Sequence, residues 1–144
     1  MSEQTAHANE TLVRQIVRSI SNNDFRALID ALDEDVVWIS NSPPSHFRFG
    51  GTHLGRGGVQ EYIAKMSSEY SYLRYEIEKI SVVDDQVWAS CDIEALHLAS
   101  GRSVRFRAVL HLVCGDSKVM RYEGFFDTAS VLQQTGTLPS TGLI

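Results

Sequence analysis

In the first half of the chain apolar residues recur at steps of three and four, and after Tyr70 they alternate with polar ones. Leu12, Val13, Ile16, Val17 and Ile20 mark one face of a helix starting at Asn9. Ser21-Asn22-Asn23 breaks it, and Asp24 is placed to cap a second helix presenting Phe25, Leu28, Ile29 and Leu32. Asp33-Glu34-Asp35 ends that helix, and Val36-Val37-Trp38-Ile39, β-branched and aromatic, reads as a first strand. A third helix carries Val59, Tyr62, Ile63 and Met66 on one face. Alternation then predicts four strands over 72–83, 86–99, 103–114 and 117–126, with Asp84-Asp85, Ser100-Gly101 and Gly115-Asp116 as the turns between them.

Short turns make those strands antiparallel neighbours. Helices followed by strands predict an α+β fold, with three N-terminal helices on a strongly curved, mainly antiparallel sheet that leaves a cone-shaped pocket beneath them. Residues 1–8 read as a flexible polar lead, 9–136 as one domain, and 137–144, with Pro139 and Gly142, as a loosely held tail. Residues 41–58 stand apart: Asn41-Ser42-Pro43-Pro44-Ser45 opens the stretch, Gly55-Arg56-Gly57-Gly58 closes it, and five of the ten glycines lie in it. Such a loop is usually a functional lid or a disordered segment.

Composition narrows the function. A chain of 144 residues is one domain with room for a real core. The net charge of -5 argues against nucleic-acid partners and fits a soluble chain. Cys91 and Cys114 lie in apolar runs and form no CxxC pair, as buried thiols of a reducing compartment do. No secretory leader and no spanning apolar run is visible, so the expected location is cytoplasmic, with no membrane partner. His46 and His53 match no common zinc spacing, and no metal is expected.

The last third carries a more specific pattern. Gly115-Asp116-Ser117-Lys118-Val119, Arg121-Tyr122-Glu123-Gly124-Phe125-Phe126-Asp127 and Leu132-Gln133-Gln134-Thr135-Gly136 resemble the closing signature of the SnoaL-like polyketide cyclase and ketosteroid isomerase group. Asn22-Asn23-Asp24, Val36 to Ile39, and Gly55 to Tyr62 resemble its earlier elements in the right order. The resemblance implies the nuclear-transport-factor-like cone, usually a homodimer. It also implies what is missing. The isomerase base would fall at Ser40 or Asn41, its helix tyrosine at Ile16 and its neutral acid near Val109, so three isomerase roles are unfilled. The Asp-Arg-Asp set of limonene epoxide hydrolases has no counterpart. The acid/base Asp of SnoaL-type cyclases matches Asp127, and their strand His matches His111.

Several residues carry two readings. Asp127 is either a general acid/base, its pKa raised by burial against Phe125 and Trp38, or the N-cap of a helix starting at Thr128. His111 either relays a proton or is a satisfied core histidine. Arg107 either binds an anionic oxygen or pairs with Glu123 or Asp127. Alternation puts Arg107, Val109, His111 and Val113 on one face of their strand and Glu123, Phe125 and Asp127 on one face of the next. By family analogy both sets point toward the helices. Ala89, Cys91, Ile93 and Ala95 would join them, leaving Trp88, Ser90, Asp92 and Glu94 outside as a dimerisation face. Tyr62 and Met66, one helical turn apart, line the pocket mouth with Trp38 or serve as ordinary core; Ser40 completes the substrate-binding set. Gly55-Arg56-Gly57-Gly58 is an anion cradle or a flexible hinge.

The resulting first reading is a SnoaL-like, cofactor-independent enzyme that moves a proton beside a carbonyl in a small apolar or cyclic compound, of isomerase, cyclase or lyase type. The alternative is a non-catalytic, dimeric ligand-binding module of the same fold.

Overall fold

The computed structural model describes residues 2–138. Helix α1 (Glu3–Ser21) buries Val13, Ile16, Val17 and Ile20, the stripe that the spacing predicts. It starts at Glu3 rather than Asn9, because the Ser2 hydroxyl accepts from the Thr5 amide at 3.1 Å and caps it. The polar lead is therefore helical and not a loose segment. Residues 139–144 of the expected tail lie outside the described residues.

Two side chains weld the next turn. Asn23, at φ 56, donates from Nδ2 to the Tyr72 carbonyl at 2.9 Å and accepts from the Tyr72 amide at 2.8 Å. The Asp24 carboxylate accepts from the Arg26 amide at 3.1 Å, at the start of helix α2 (Arg26–Ala31). It also holds the Arg26 guanidinium at 2.7 Å, which lowers the Asp24 pKa to about 2.

Six strands form one sheet in the order β2-β1-β6-β5-β4-β3. They are β1 (Leu32–Asn41), β2 (Gly51–Leu54), β3 (Tyr70–Val83), β4 (Gln86–His97), β5 (Arg102–Gly115) and β6 (Lys118–Phe126). Only β1 and β6 pair in parallel; every other pairing is antiparallel. Asp116 and Ser117, both at positive φ, make the two-residue turn between β5 and β6. The segment 41–58 is more ordered than its glycines suggest. It contains β2, and helix α3 (Gly55–Glu69) begins at Gly55. Gly55-Arg56-Gly57-Gly58 is thus the first turn of a helix and not a hinge, and Arg56 Nε donates to the Leu32 carbonyl at 2.9 Å.

Helices α1 and α3 lie on one face of the sheet, α1 over β3 and β4 and α3 over β1 and β2. Irregular register bends the sheet around them. In β3 the pairing slips between Tyr72 and Arg74 and again between Ile77 and Lys79. The first slip puts Tyr72 and Tyr75, three residues apart, on the same inner face, opposite Ala95 and Ile93. A last helix, α4 (Thr128–Gln134), closes the end of β5, where β6 has run out. The Gln134 side-chain amide there bonds both the carbonyl and the amide of Arg105, each at 2.8 Å, as a further strand would.

Candidate functional site

The inner face of the sheet is set by cross-strand pairing. On β4 and β5 the pairs Ala89–Leu110, Cys91–Ala108, Ile93–Phe106 and Ala95–Val104 point at the helices, and all but half-buried Phe106 are buried. On β6 the matching positions are Tyr122, Gly124 and Phe126, and on β1 they are Trp38 and Ser40. Trp38 stacks face to face on Tyr122, with ring centroids 3.6 Å apart and planes at 12°.

Under this face lies a cavity of about 60 Å³. Five tyrosines border it: Tyr62 from α3, Tyr70, Tyr72 and Tyr75 from β3, and Tyr122 from β6. Ser40, Met66 and the aromatic rings of Phe47, Phe49 and Phe106 complete most of the wall. Tyr62, Tyr72, Tyr75 and Tyr122 also form the partition to a second hollow of about 30 Å³ beneath α1, which Trp38 borders.

Burial dominates the chemistry of these phenols. It pushes Tyr62 up to about 12 from an ordinary 10, and raises Tyr72, Tyr75 and Tyr122 well above 10. Burial and, after it, the neighbouring Glu69 carboxylate push Tyr70 up as well, to about 12. At neutral pH the cluster is therefore uncharged and can donate hydrogen bonds. Gly124 makes room for it: a Cβ there would stand 2.5 Å from the Tyr122 hydroxyl oxygen. The Tyr75 hydroxyl is a neighbour of Tyr122, and the Tyr62 hydroxyl is close to the Trp38 indole. The Trp38 Nε1–H is nonetheless buried without a hydrogen bond of good geometry among the described residues. A buried donor left in this state is uncommon.

The structure divides the residues singled out by the sequence. Ser40, Tyr62, Met66 and Phe125 border the larger cavity, and Trp38 borders the smaller one. Phe125 is among the bordering residues although strand alternation sets it in the outer phase, opposite Val109. Arg107, Val109 and His111 do not face the helices. Their partners across β4 and β6 are Asp92, Ser90, Trp88, Phe125 and Glu123, all on the outer face. The strand phase assumed from family analogy is inverted here: residues 104, 106, 108, 110 and 112 are the inward set. On that outer face His111 stacks on Trp88 at 4.0 Å and bonds Gln86 Oε1 at 2.8 Å. Arg107 pairs with Glu78 at 3.2 Å rather than with Glu123 or Asp127. Glu123 accepts from Asn41 Nδ2 at 3.0 Å. Asp127 is exposed, not buried against Trp38, and caps α4 by accepting from the Ser130 amide at 3.0 Å.

Sequence reasoning passed over Tyr72, Tyr75 and Tyr122. The signal for Tyr122 was available, since from Val104 to Cys114 the even-numbered set on β5 carries no charge while the odd-numbered set carries Arg105, Arg107 and His111. The signal for Tyr72 and Tyr75 was masked by the bulge, because strict alternation puts residues three apart on opposite faces.

Cys91 and Cys114 are free thiols, pushed up by burial to about 12 and about 11, and are poor nucleophiles. Among the described residues no group of three or more His, Cys, Asp or Glu is gathered to hold a metal ion, and no helix is long and apolar enough to cross a membrane.

The architecture recurs in solved structures. An NTF2-like protein of unknown function from Burkholderia pseudomallei shares 20% identity over 94% of this chain and 98% of its own, with a TM-score of 0.82. A putative isomerase from Rhodopseudomonas palustris shares 18% over 96% and 100%, with a TM-score of 0.79. TerC, crystallised with polyporic acid, shares 20% over 90% and 98%, also at 0.79. At these identities the likeness is one of fold. No curated protein matches the chain. The SnoaL-like domain matches residues 13–122, most of the sequence, from the middle of α1 through α2, α3 and the tyrosine wall to Tyr122 in β6; this chain belongs to the SnoaL-like family.

Proposed function

We propose that this chain binds a small, neutral, carbonyl-bearing apolar ligand among the tyrosines, as a binding module. One observation carries the reading: among the described residues this cavity is bordered by phenol and serine hydroxyls and apolar side chains, with no carboxylate, imidazole, amine or guanidinium. Neutral phenols donate to a carbonyl oxygen, while the absence of a cation disfavours a charged ligand. The Trp38 Nε1–H is a further donor for a ligand oxygen that reaches the partition. TerC, of the same fold, was crystallised with polyporic acid, which is in keeping with a small organic ligand in this fold.

An enzymatic version, of isomerase, cyclase or lyase type, needs a proton acceptor. Among the described residues no cavity-lining group is a base near neutral pH, so such a reaction would draw only on hydrogen bonds to the carbonyl unless Asp127 or His111 moved in. A non-catalytic role is the simpler reading. The outer face fits a second copy: Trp88, Val109 and Phe125 are each about two-fifths exposed there, beside ion-paired Arg107–Glu78 and Arg74–Asp92.

The test compares acetophenone with ethylbenzene, which lacks the oxygen, by calorimetry on the wild type and Tyr122→Phe. We expect the ketone to bind about tenfold more tightly, one hydrogen bond's worth, and Tyr122→Phe to remove the preference. Equal affinities in the wild type would overturn the reading.

A further inference from the structure

A cavity of about 60 Å³ is too small for a ring. An engineered apolar cavity that holds benzene has roughly 150 Å³. A ring-bearing ligand therefore enters only if part of the wall moves. Most of that wall belongs to α3 and to the sheet. Phe47 and Phe49 do not: they come from residues 42–50, between β1 and β2, which form neither helix nor strand.

These nine residues are a closed unit. The His46 and Phe47 amides both donate to the Pro43 carbonyl, at 3.0 and 2.9 Å, and the Gly50 amide donates to the Phe47 carbonyl at 2.9 Å. The neck is tight: a Cβ on Gly50 would collide with the Ser42 carbonyl oxygen, and Gly51 follows at φ 95. A segment whose ends meet and whose hydrogen bonds are internal can move as one piece. Its ties to the body are few. The Ser42 amide donates to the Ser40 carbonyl at 2.9 Å, the Ser40 and Ser42 hydroxyls bond at 2.9 Å, and His53 Nε2 meets the Phe49 carbonyl at 2.8 Å. The remaining tie is the two rings. Phe47 is 1% exposed, edge-on to Phe126; Phe49 stands edge-on to Tyr62 and Tyr70.

We infer that the Ser42–Gly50 loop is a plug: Phe47 and Phe49 fill the place of the ligand's ring, swing out together at the neck, and by their bulk set the size of ligand accepted. The inference rests on the cavity being the ligand site, but the plug itself can be tested without ligand. Two variants release it. Gly50→Ala prevents the neck from closing, and Phe47→Ala empties the ring's place.

With folding checked by circular dichroism, both variants are expected to raise the fluorescence of the neutral dye N-phenyl-1-naphthylamine without ligand, and to bind acetophenone at least about tenfold more tightly than the wild type, since no ring must be displaced. In the wild type, saturating acetophenone is expected to speed hydrogen exchange at the Phe47 and Gly50 amides and leave those of β5 unchanged. Folded variants with no gain in dye or ketone binding overturn the plug, as do unchanged Phe47 and Gly50 amides in ketone-saturated wild type. If neither variant folds, the exchange measurement decides. A dye gain in the variants without ketone binding to any form supports the plug and removes the carbonyl reading; equal ketone binding to all forms without a dye gain does the reverse.

Discussion

The two faces of the same strands are made of different chemistry. Toward the helices, between Val87 and Ala95 on β4, Val104 and Cys114 on β5, and Val119 and Phe126 on β6, the strands present small, aliphatic and aromatic side chains whose polar groups are hydroxyls and thiols, together with Gly124, which clears space for a phenol. Away from the helices they present Asp92, Glu94, Arg105 and Arg107, paired with one another or with β3, and His111 and Glu123, held by Gln86 and Asn41, around Trp88 and Val109. The carboxylates and guanidiniums along the middle of these strands are thus confined to the face where water or another protein can solvate them, while the His53 and His97 rings pack against Tyr62 and Tyr70 at the margin of the tyrosine wall. The cavity is left with groups that stay neutral. The arrangement follows from the cost of burying charge: one unpaired carboxylate in the tyrosine wall would outweigh the gain from most of its neighbours.

The comparison breaks most sharply at its two tryptophans. Trp38→Ala removes a buried ring stacked on Tyr122 and is expected to cost about 3–5 kcal/mol in denaturant unfolding. Trp88→Ala, on the outer face, should cost less than about 1 kcal/mol per subunit, yet shift the sedimentation profile toward monomer if that face meets a second copy. Similar losses of stability from the two would mean that the faces are not distinct.

Alkaline pH tests the neutral phenols. The folded Tyr62 pKa of about 12 lies above its ordinary 10, so its contribution to stability is complete below pH 10 and is lost as pH rises through 12. Tyr62 alone should account for about 2–3 kcal/mol of that loss. Absorbance at 295 nm should therefore show the buried tyrosines ionising together with unfolding; smooth titration near pH 10 in a folded chain would contradict their burial.

Gly124→Ala sharpens the picture at one atom. The new methyl must push against the Tyr122 hydroxyl, held by the stack on Trp38, at an expected cost of about 1–3 kcal/mol and with weaker acetophenone binding. An unchanged melting temperature would mean that the phenol moves freely.

Asp127 gives the smallest effect. As the cap of α4, Asp127→Ala should cost about 1 kcal/mol and Asp127→Asn almost nothing. Turnover of any identified substrate that falls about a hundredfold in a stable Asp127→Asn variant would restore its candidacy as an acid/base.

The motifs that made the family visible are joints of the scaffold. Asn23 ties the end of α1 to the backbone of Tyr72, Asp24 starts α2, Asp127 starts α4, and Gln134 extends the edge of β5. Such residues are legible in a sequence because their partners lie close by or are backbone groups in fixed geometry. A cavity is different, because its walls come from α3, β3, β5 and β6 at once and no local pattern gathers them.

By itself, then, the sequence determined the order of the elements, the helix stripe from Val13 to Ile20, the spans of the four long strands within a few residues, and which side chains share a face. Each is fixed by local spacing and turn chemistry. Which face turns inward was decided only by the tertiary structure, because alternation is symmetric under exchange of faces. Pairing Ala108 with Cys91 and Phe126 chose for β5, sending His111 out and Leu110 in. The slip beside Leu73 then brought Tyr72 and Tyr75 to the same side, since the extra residue in one strand reverses the alternation that the sequence alone would have continued.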